Sequence, residues 1–157
     1  MTRQRFIILV EESQETLRRF LIALCCGDAS LADDLAQETF LRAYIAIDSL
    51  DSISNFNSWL RRVAYNCFIS YHRSRKQSTP VEAALEVEGE CQADSAFRFE
   101  PLYRALSGLN EKERTAVVMY YLEEYPTPEI ARLMETSENN VRQLLSRGRS
   151  HLRNFLS

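Results

Sequence analysis

The stretch PTPEIARLMETSENNVRQLLSRGR, residues 126–149, contains two short helical patterns joined by a tight turn. Thr127 is predicted to cap the first helix and Pro128 to begin it, because a proline at that position loses no hydrogen bond. Ser137 is predicted to cap the second helix. The apolar residues recur at helical spacing and are Ile130, Ala131, Met134, Val141, Leu144, Leu145 and Leu152. This layout predicts a helix-turn-helix, whose second helix enters the major groove of DNA.

The distribution of charge supports DNA as a partner, although the formal net charge is −3. Residues 59–80 carry five cations and no acid, and residues 137–157 carry four arginines against one glutamate. Between these two basic segments, residues 82–100 carry six acids and one arginine. Because phosphate binding depends on local charge more than on the total, the basic segments favour a nucleic-acid partner.

Three further helices are predicted upstream, over residues 4–26, 30–47 and 58–76. Gly27 and Asp28 end the first, a capping-box pattern from Ser30 to Asp33 begins the second, and Ser58 caps the third. Residues 48–57 are rich in Asp, Ser and Asn and are predicted to form a turn or loop. The predicted buried positions of the second and third helices are Leu35, Phe40, Ala43, Tyr44, Ile47, Leu60, Val63, Ala64, Cys67, Phe68 and Tyr71.

These patterns predict an all-α fold of two small helical domains joined by an acidic linker. The expected boundaries are 1–76 for the first domain, 77–98 for the linker and 99–157 for the second domain. Asn110 and Glu113 are predicted to form a capping box at the start of a long helix in the second domain.

Several classes of protein are excluded. The apolar runs are too short to span a membrane, and no signal-peptide pattern is present, so we expect a cytoplasmic protein without membrane insertion. The four cysteines, Cys25, Cys26, Cys67 and Cys91, form no C-x-x-C pair and are expected to be reduced thiols, with a metal or redox site as the alternative. We predict no catalytic residue, metal or cofactor, because no nucleophile–base pair, glycine-rich phosphate loop or metal cluster stands out.

Three motifs together resemble those of a known family. Residues 33–44, DDLAQETFLRAY, resemble the core-polymerase-binding helix of bacterial sigma factors. Residues 56–66, FNSWLRRVAYN, with RSRK at 73–76, resemble their minus-ten-binding helix, and the C-terminal domain resembles their minus-thirty-five-binding domain. The short acidic linker, without a separate middle domain, is typical of the extracytoplasmic-function subgroup. The resemblance implies an alternative sigma factor that binds core RNA polymerase and promoter DNA, and whose further partner is an anti-sigma factor.

The candidate core-polymerase-binding residues are Asp33, Asp34, Gln37, Glu38, Leu41 and Arg42. A solvated face of an amphipathic helix would explain the charged residues equally well. However, Leu41 and Ile45 share this polar surface, and apolar side chains on a charged surface indicate a partner. The family resemblance implies that the partner is the coiled-coil clamp of the largest polymerase subunit.

The candidate minus-ten DNA-binding residues are Asn55, Asn57, Trp59, Arg61, Arg62, Tyr65, Asn66, Arg73, Arg75 and Lys76. Arg61, Arg62 and Tyr65 are expected on the side of the helix away from the core. Arginines hold phosphates and aromatic side chains stack on unpaired bases, which suits a melted DNA strand. Trp59 and Tyr65 could instead be core aromatics.

The candidate minus-thirty-five DNA-binding residues are Glu138, Asn139, Asn140, Arg142, Gln143, Ser146, Arg147 and Arg149. Asn and Gln pair with adenine and Arg with guanine, while arginines further along the helix hold phosphates. A basic helix end favoured by its own dipole would explain Arg149 as well. The chain departs from the family pattern at Glu135, where glycine is common, at Leu144, where a basic residue is common, and at Gly148, where alanine is more usual. Gly148 is expected to weaken the helix by about 1 kcal/mol.

Two rival functions stay open at this point. A free-standing helix-turn-helix regulator would need no polymerase-binding surface and would usually dimerise. A protein-interaction adaptor built from two helical bundles would not need two separate basic patches. Binding of promoter DNA by the purified protein alone, or only together with core polymerase, separates the first rival from a sigma factor.

Overall fold

The computed structural model describes residues 2–52, 55–77 and 99–156, and within these ranges the chain is helical and contains no strand. The N-terminal unit consists of α1 (Arg3–Leu24), α2 (Ala29–Ile45), a 3₁₀ helix (Ile47–Ser52) and α3 (Phe56–Gln77). The C-terminal unit consists of α4 (Glu100–Ser107), α5 (Glu111–Val117), a π-helical turn (Val118–Leu122), α6 (Thr127–Leu133) and α7 (Glu138–Leu156). Most of the acidic linker, from residue 78 to residue 98, and Cys91 within it lie outside the described residues.

Three predicted helix starts are wrong. α2 begins one residue before Ser30, because the Asp28 carboxylate, and not Ser30, accepts a hydrogen bond from the Leu31 amide at 3.1 Å. The side chain of Asn55 caps α3 by accepting from the Ser58 amide at 3.1 Å, so Ser58 lies inside the helix. Thr127 is the first residue of α6 and caps nothing.

The other two predicted caps are confirmed. Ser137 accepts a hydrogen bond from the Asn140 amide at 3.1 Å and so begins α7. Asn110 and Glu113 form the expected capping box at the start of α5. The helix that follows is shorter than expected, because α5 gives way to the π-helical turn at Val118.

The hydrophobic core of the N-terminal unit lies between α1, α2 and α3. Its most buried side chains include Leu17, Leu21, Leu24, Leu60 and Phe68. Most predicted core positions of α2 and α3 are confirmed as buried or partly buried, but Tyr44 is exposed and is a correction. The ring of Tyr44 makes an edge contact with Phe6 of α1 at 5.8 Å between centroids, at the rim of the core.

In the C-terminal unit, α5 packs closely against α7 at Gly148. A Cβ atom at Gly148 would lie 2.7 Å from Cγ2 of the buried Val117, which is closer than such atoms approach. Glycine at this position lowers the stability of α7 itself, but it allows α7 to approach Val117 closely. The sequence does not reveal this contact.

We expect Gly148→Ala to destabilise the protein by about 1 kcal/mol, because overpacking costs about 1–3 kcal/mol and outweighs the gain in helix propensity of about 1 kcal/mol. In a Val117→Ala background the clash is absent, and there Gly148→Ala should be neutral or stabilising. Urea unfolding of the four proteins measures both effects. A destabilisation of the same size in both backgrounds would show that contact with Val117 is not the reason for the glycine.

The two units are packed together and share one continuous core. α1 contacts α4, α5 and the π-helical turn, and α3 contacts α5 and α6. The centre of this interface is Arg114 of α5, whose buried guanidinium donates hydrogen bonds to three backbone carbonyls. Two of these carbonyls belong to the C-terminal unit, and the third is that of Leu24 at the end of α1, at 2.9 Å.

Candidate nucleic-acid interfaces

The outer surface of α2 combines charged and apolar side chains. Leu41 is 57% exposed and Ile45 is 75% exposed, as the sequence predicts. Beside them, Asp34 and Gln37 are exposed, and Glu38 accepts a hydrogen bond from Arg42 at 3.0 Å. The sixth candidate, Asp33, accepts a hydrogen bond from Arg18 of α1 at 2.8 Å. Five of the six candidate core-polymerase-binding residues thus lie on an exposed face, and Asp33 is half-buried at its edge.

Three exposed apolar residues near this surface escaped sequence reasoning. Tyr44 follows Leu41 by one helical turn, and Ile7 and Ile8 of α1 are both about half exposed. Phe6 contacts Tyr44, so the start of α1 lies next to the end of α2.

The ten minus-ten candidates on and before α3 do not form one free surface. Asn57, Arg62, Arg73 and Lys76 are exposed, and Asn55 is exposed although its side chain caps the helix. Trp59, Asn66 and Arg75 are half-buried. Trp59 packs on Phe56, and Arg75 lies over the ring of Tyr71 and donates to its hydroxyl at 2.7 Å.

Arg61 and Tyr65 correct the sequence prediction, which placed both on a free face. Arg61 is 4% exposed and Tyr65 is 6% exposed, because the C-terminal unit packs on this side of α3. The guanidinium of Arg61 donates to the Glu123 carboxylate at 3.0 Å and lies over the ring of Phe20. Burial raises the pKa of Tyr65; the nearby charge of Arg73 opposes this effect, and that of Glu135 adds to it.

Two more candidates on α3 pair with carboxylates of the C-terminal unit. Arg62 donates to Glu135 at 2.7 Å through its Nε atom and again through Nη2. Lys76 donates to Glu111 at 3.0 Å. Burial lowers the pKa of the neighbouring His72 to about 4, against a smaller opposing effect of Glu111. His72 is therefore neutral at pH 7, and its 3.8 Å contact with Glu111 is not an ion pair.

The minus-thirty-five candidates on α7 separate into four that form one exposed face and four that mainly make contacts within the C-terminal unit. Asn139, Arg142, Gln143 and Ser146 are all exposed and are spaced by three or four residues, so they lie on one face of the helix. We call them the α7 stripe. Arg142 donates to Glu138 at 2.7 Å, and this pair lies half in solvent.

The remaining α7 candidates make contacts within the C-terminal unit. Glu138 accepts from the Thr127 hydroxyl at 3.1 Å and so connects α7 to α6. The side-chain amide of Asn140 donates to Thr136 at 2.9 Å. Arg147 approaches Gln143 at 3.5 Å, and Arg149 donates to the Tyr121 hydroxyl at 3.2 Å. Leu144 is buried, which explains why a basic residue does not occupy that position.

Glu135 occupies the turn between α6 and α7 in a left-handed conformation with φ of 55°. The Thr136 amide donates to the Ala131 carbonyl at 2.9 Å and the Glu135 amide to the Arg132 carbonyl at 3.3 Å. This is the helix end in which glycine is most common, because glycine adopts a positive φ without strain. The end of α6 therefore has the ordinary geometry of a left-handed helix end although its residue is a glutamate.

Other chemistry is not indicated by the described residues. Among them, no group of three or more His, Cys, Asp or Glu side chains is placed to hold a metal ion. Cys25 and Cys67 are buried free thiols. In the same part of the chain, no helix is long and apolar enough to cross a membrane.

Comparisons with known proteins agree with this architecture. Residues 9–78 match the family model described as Sigma-70 region 2, and residues 99–152 match the one described as Sigma-70, region 4. The chain is 36% identical over 140 residues to the ECF RNA polymerase sigma factor SigM of Bacillus subtilis, an alignment that covers 86% of this chain and 85% of SigM. It is 30% identical over 145 residues to SigW of the same organism, with 83% of this chain and 78% of SigW covered.

Two solved structures share the fold. The sigma factor RpoE of Bartonella quintana, in complex with the anti-sigma factor NepR, superposes with a TM-score of 0.76 at 22% identity, covering 98% of this chain and 97% of that one. CnrH, in complex with the cytosolic domain of CnrY, superposes with a TM-score of 0.72 at 22% identity, covering 99% of this chain and 89% of CnrH. With both family regions in order and a relative as similar as SigM, the chain belongs to the extracytoplasmic-function (ECF) sigma factors of the sigma-70 family.

Proposed function

We propose that this sigma factor binds core RNA polymerase through the outer surface of α2, the minus-ten region of a promoter through α3 and the minus-thirty-five element through the α7 stripe. Residues 1–76 would then be the polymerase and minus-ten domain and residues 99–157 the minus-thirty-five domain. The protein acts as a specificity subunit and not as an enzyme, in the cytoplasm where the polymerase is. A further partner is an anti-sigma factor, which the complexes of RpoE and CnrH with their partners support.

The observation that carries this proposal is the presence of two different kinds of surface on one chain. The α7 stripe is polar and basic, with amide and guanidinium groups that suit base edges. The outer surface of α2 exposes Leu41 and Ile45 among charges, which suits a protein partner. A free-standing regulator needs the first surface and not the second, so the pair favours a polymerase subunit.

Run-off transcription tests the proposal. Core polymerase with this chain should produce a transcript from the promoter of the chain's own operon, and core polymerase without it should not. The chain alone should shift that promoter DNA weakly or not at all. A strong, sequence-specific shift without polymerase, together with no transcript, would instead identify a free-standing regulator.

On α7, Arg142 of the α7 stripe is expected to read a base, and Arg149, outside the stripe, is expected to hold the DNA backbone. Arg142→Ala should cost about 1–3 kcal/mol and relax the preference at one base of the minus-thirty-five element. Arg149→Ala should weaken all sequences about equally and reduce the salt dependence by roughly one phosphate. Binding of holoenzyme to single-base promoter variants at several salt concentrations measures both. A uniform loss for Arg142→Ala, with base selectivity intact, would refute its role as a reader.

A further inference from the structure

We propose that His151 of α7 binds a phosphate of the minus-thirty-five DNA through its Nε2 atom, while the buried carboxylate of Glu113 holds the proton on its Nδ1 atom. The proposal rests on the proposed function of α7 and adds to it a DNA contact that takes up a proton. Glu113 acts through His151 and is therefore a positioning residue.

His151 continues a row of side chains that begins in the α7 stripe. Gln143 of the stripe, Arg147 and His151 are each four residues apart, so they follow one another along one side of the helix. Arg147 reaches back to Gln143 at 3.5 Å, and His151 lies one turn further on, about 12 Å from Gln143 along the helix axis. A recognition helix uses its first turns for base edges, so the later residues of this row are placed for the DNA backbone.

The ring of His151 contacts a carboxylate that belongs to another helix. Its Nδ1 atom lies 3.1 Å from Oε1 of Glu113 in α5. The same oxygen accepts a hydrogen bond from the backbone amide of Asn110 at 3.3 Å, within the capping box. Only 4% of the Glu113 side chain is exposed, whereas 51% of the His151 side chain is exposed. The imidazole therefore extends from an enclosed carboxylate to the solvent.

The Glu113 carboxylate determines which ring nitrogen of His151 is available. An ionised carboxylate only accepts hydrogen bonds, so the 3.1 Å contact requires a proton on Nδ1. Nε2 makes no hydrogen bond within the described part of the chain. In the neutral ring this atom is an acceptor, which a phosphate repels. In the doubly protonated ring it is a donor, which suits a phosphate oxygen.

The charged groups around the His151 ring come from α5 and α7. On α5 they are Glu113 and the exposed Lys112 beside it in the chain, and on α7 the nearest in the row is Arg147. The helix α4 approaches α7 at Leu152 and Arg153, and Arg153 lies on the other side of α7 from His151. A phosphate at Nε2 adds a second anion to the ring and so favours the doubly protonated form. DNA binding and proton uptake are therefore coupled.

A purely structural contact between His151 and Glu113 would serve only to hold α7 on α5. The two helices already meet closely at Gly148, three residues before His151. A ring that is half in solvent adds little to this packing. The two roles also predict different results. A structural role changes the stability of the protein, whereas a phosphate contact changes the salt dependence of DNA binding, and only at a pH at which the ring is charged.

Proton uptake by a histidine between pH 6 and pH 8 can be assigned to one residue. The chain has two histidines, and histidine is the side chain whose ordinary charge change falls in this range. The other histidine, His72, is buried, and burial lowers its pKa to about 4. Because His72 stays neutral from pH 6 to pH 8, His151 is the histidine that can gain a proton there.

Binding of holoenzyme, made from core polymerase and the full chain, to a promoter fragment at pH 6 and pH 8 tests the phosphate contact. His151→Gln has no charge at either pH, and His151→Arg is charged at both. At pH 6, His151→Gln should bind roughly tenfold more weakly than the intact chain, since it lacks a charge-assisted hydrogen bond. Its salt dependence should be shallower by about one phosphate. At pH 8 these two should agree within about twofold, whereas His151→Arg should keep the pH 6 affinity.

Glu113→Gln tests the positioning role of the carboxylate. Glutamine preserves the capping box, because its side-chain oxygen still accepts from the Asn110 amide, but it removes the charge. The Glu113→Gln holoenzyme should lose its DNA affinity at a lower pH than the intact one. Glu100→Gln is the matched control, because Glu100 pairs with Arg104 on the surface of α4, and its pH profile should match that of the intact chain. Circular dichroism at both pH values checks that every variant is folded.

Equal pH dependence and equal salt dependence in the intact chain and His151→Gln would refute the phosphate contact. A pH profile unchanged by Glu113→Gln would refute the role of Glu113. Nitrogen-15 NMR of the free chain identifies the protonated ring nitrogen without DNA or polymerase, and a neutral ring with its proton on Nε2 would overturn the assigned geometry. Failure of run-off transcription would overturn the proposed function but leave the NMR result standing. A normal transcript, with His151→Gln binding as tightly as the intact chain at pH 6, would overturn this inference alone.

Discussion

A variant carrying Glu38→Lys and Leu41→Ala should lose binding to core RNA polymerase while keeping its fold. Both side chains are exposed on the outer surface of α2, where they support nothing inside the protein apart from the surface pair of Glu38 with Arg42. Truncation of an apolar anchor and reversal of a nearby charge together typically cost an interface about 2–4 kcal/mol. The affinity for core polymerase should therefore fall by roughly 30-fold or more.

Competition for core polymerase against a labelled intact chain measures this loss. Glu100→Lys makes the same charge reversal on α4 and should leave the affinity unchanged. Thermal unfolding should show the double variant to be as stable as the intact chain, since surface substitutions usually change stability by about 0.5 kcal/mol or less. Intact affinity in the double variant would mean that polymerase binds elsewhere on the chain.

The sequence was sufficient to predict most of the helices and their grouping into an N-terminal and a C-terminal unit. Hydrophobic spacing is a local property, and it placed Val141, Leu144 and Leu145 correctly in the core of the C-terminal unit. Capping was predicted less well. Several polar residues precede each helix, and the choice between Asp28 and Ser30, for example, depends on backbone angles that the sequence alone does not fix.

The minus-ten face of α3 shows where local reasoning fails. Arg61 and Tyr65 lie on the side of α3 that the N-terminal unit leaves open, so the helical pattern predicts that they are free. They are buried because another unit, more than sixty residues away in sequence for the partner of Arg61, packs over them. The residue pattern of a single helix cannot predict such a contact.

Contacts between residues far apart in the sequence also explain two departures from the family pattern, at Gly148 and Glu135. Gly148 is needed for the approach of α7 to Val117, and Glu135 carries the carboxylate that meets Arg62. From the sequence, each substitution weakens its own element slightly. The compensating contact is visible only when the partner helix is in place.

Arg114 joins the two units through backbone carbonyls. It is 9% exposed, it lies 6.0 Å from the centre of the Phe68 ring, and its three hydrogen bonds go to the carbonyls of Leu106, Leu109 and Leu24. All three carbonyls lie at or near helix ends, where backbone groups lack partners within the helix. One guanidinium thus supplies hydrogen-bond donors both to the carbonyls around the loop between α4 and α5 and to the carbonyl at the end of α1.

Arg114→Ala should therefore destabilise the protein by about 3 kcal/mol or more. The buried carbonyls of Leu24 and Leu109 lose their donor, at a cost of about 1–3 kcal/mol each, whereas the Leu106 carbonyl loses one bond but keeps the Leu109 amide. For a chain of this length the melting temperature should fall by roughly 6–12 °C, at about 2–4 °C per kcal/mol. Arg114→Lys should give a smaller loss, since its ammonium can still donate to one or two of the carbonyls but lacks the planar fork that reaches all three.

Thermal and urea unfolding of the two variants measure these losses, with Arg104→Ala as the matched control. Arg104 pairs only with Glu100 on the surface of α4 in the described contacts, so its loss should change stability by about 0.5 kcal/mol or less. A loss below about 1 kcal/mol for Arg114→Ala would show that water replaces the guanidinium at these carbonyls. A Lys variant as stable as the intact protein would show that the fork geometry does not matter, and that any cation at this position is sufficient.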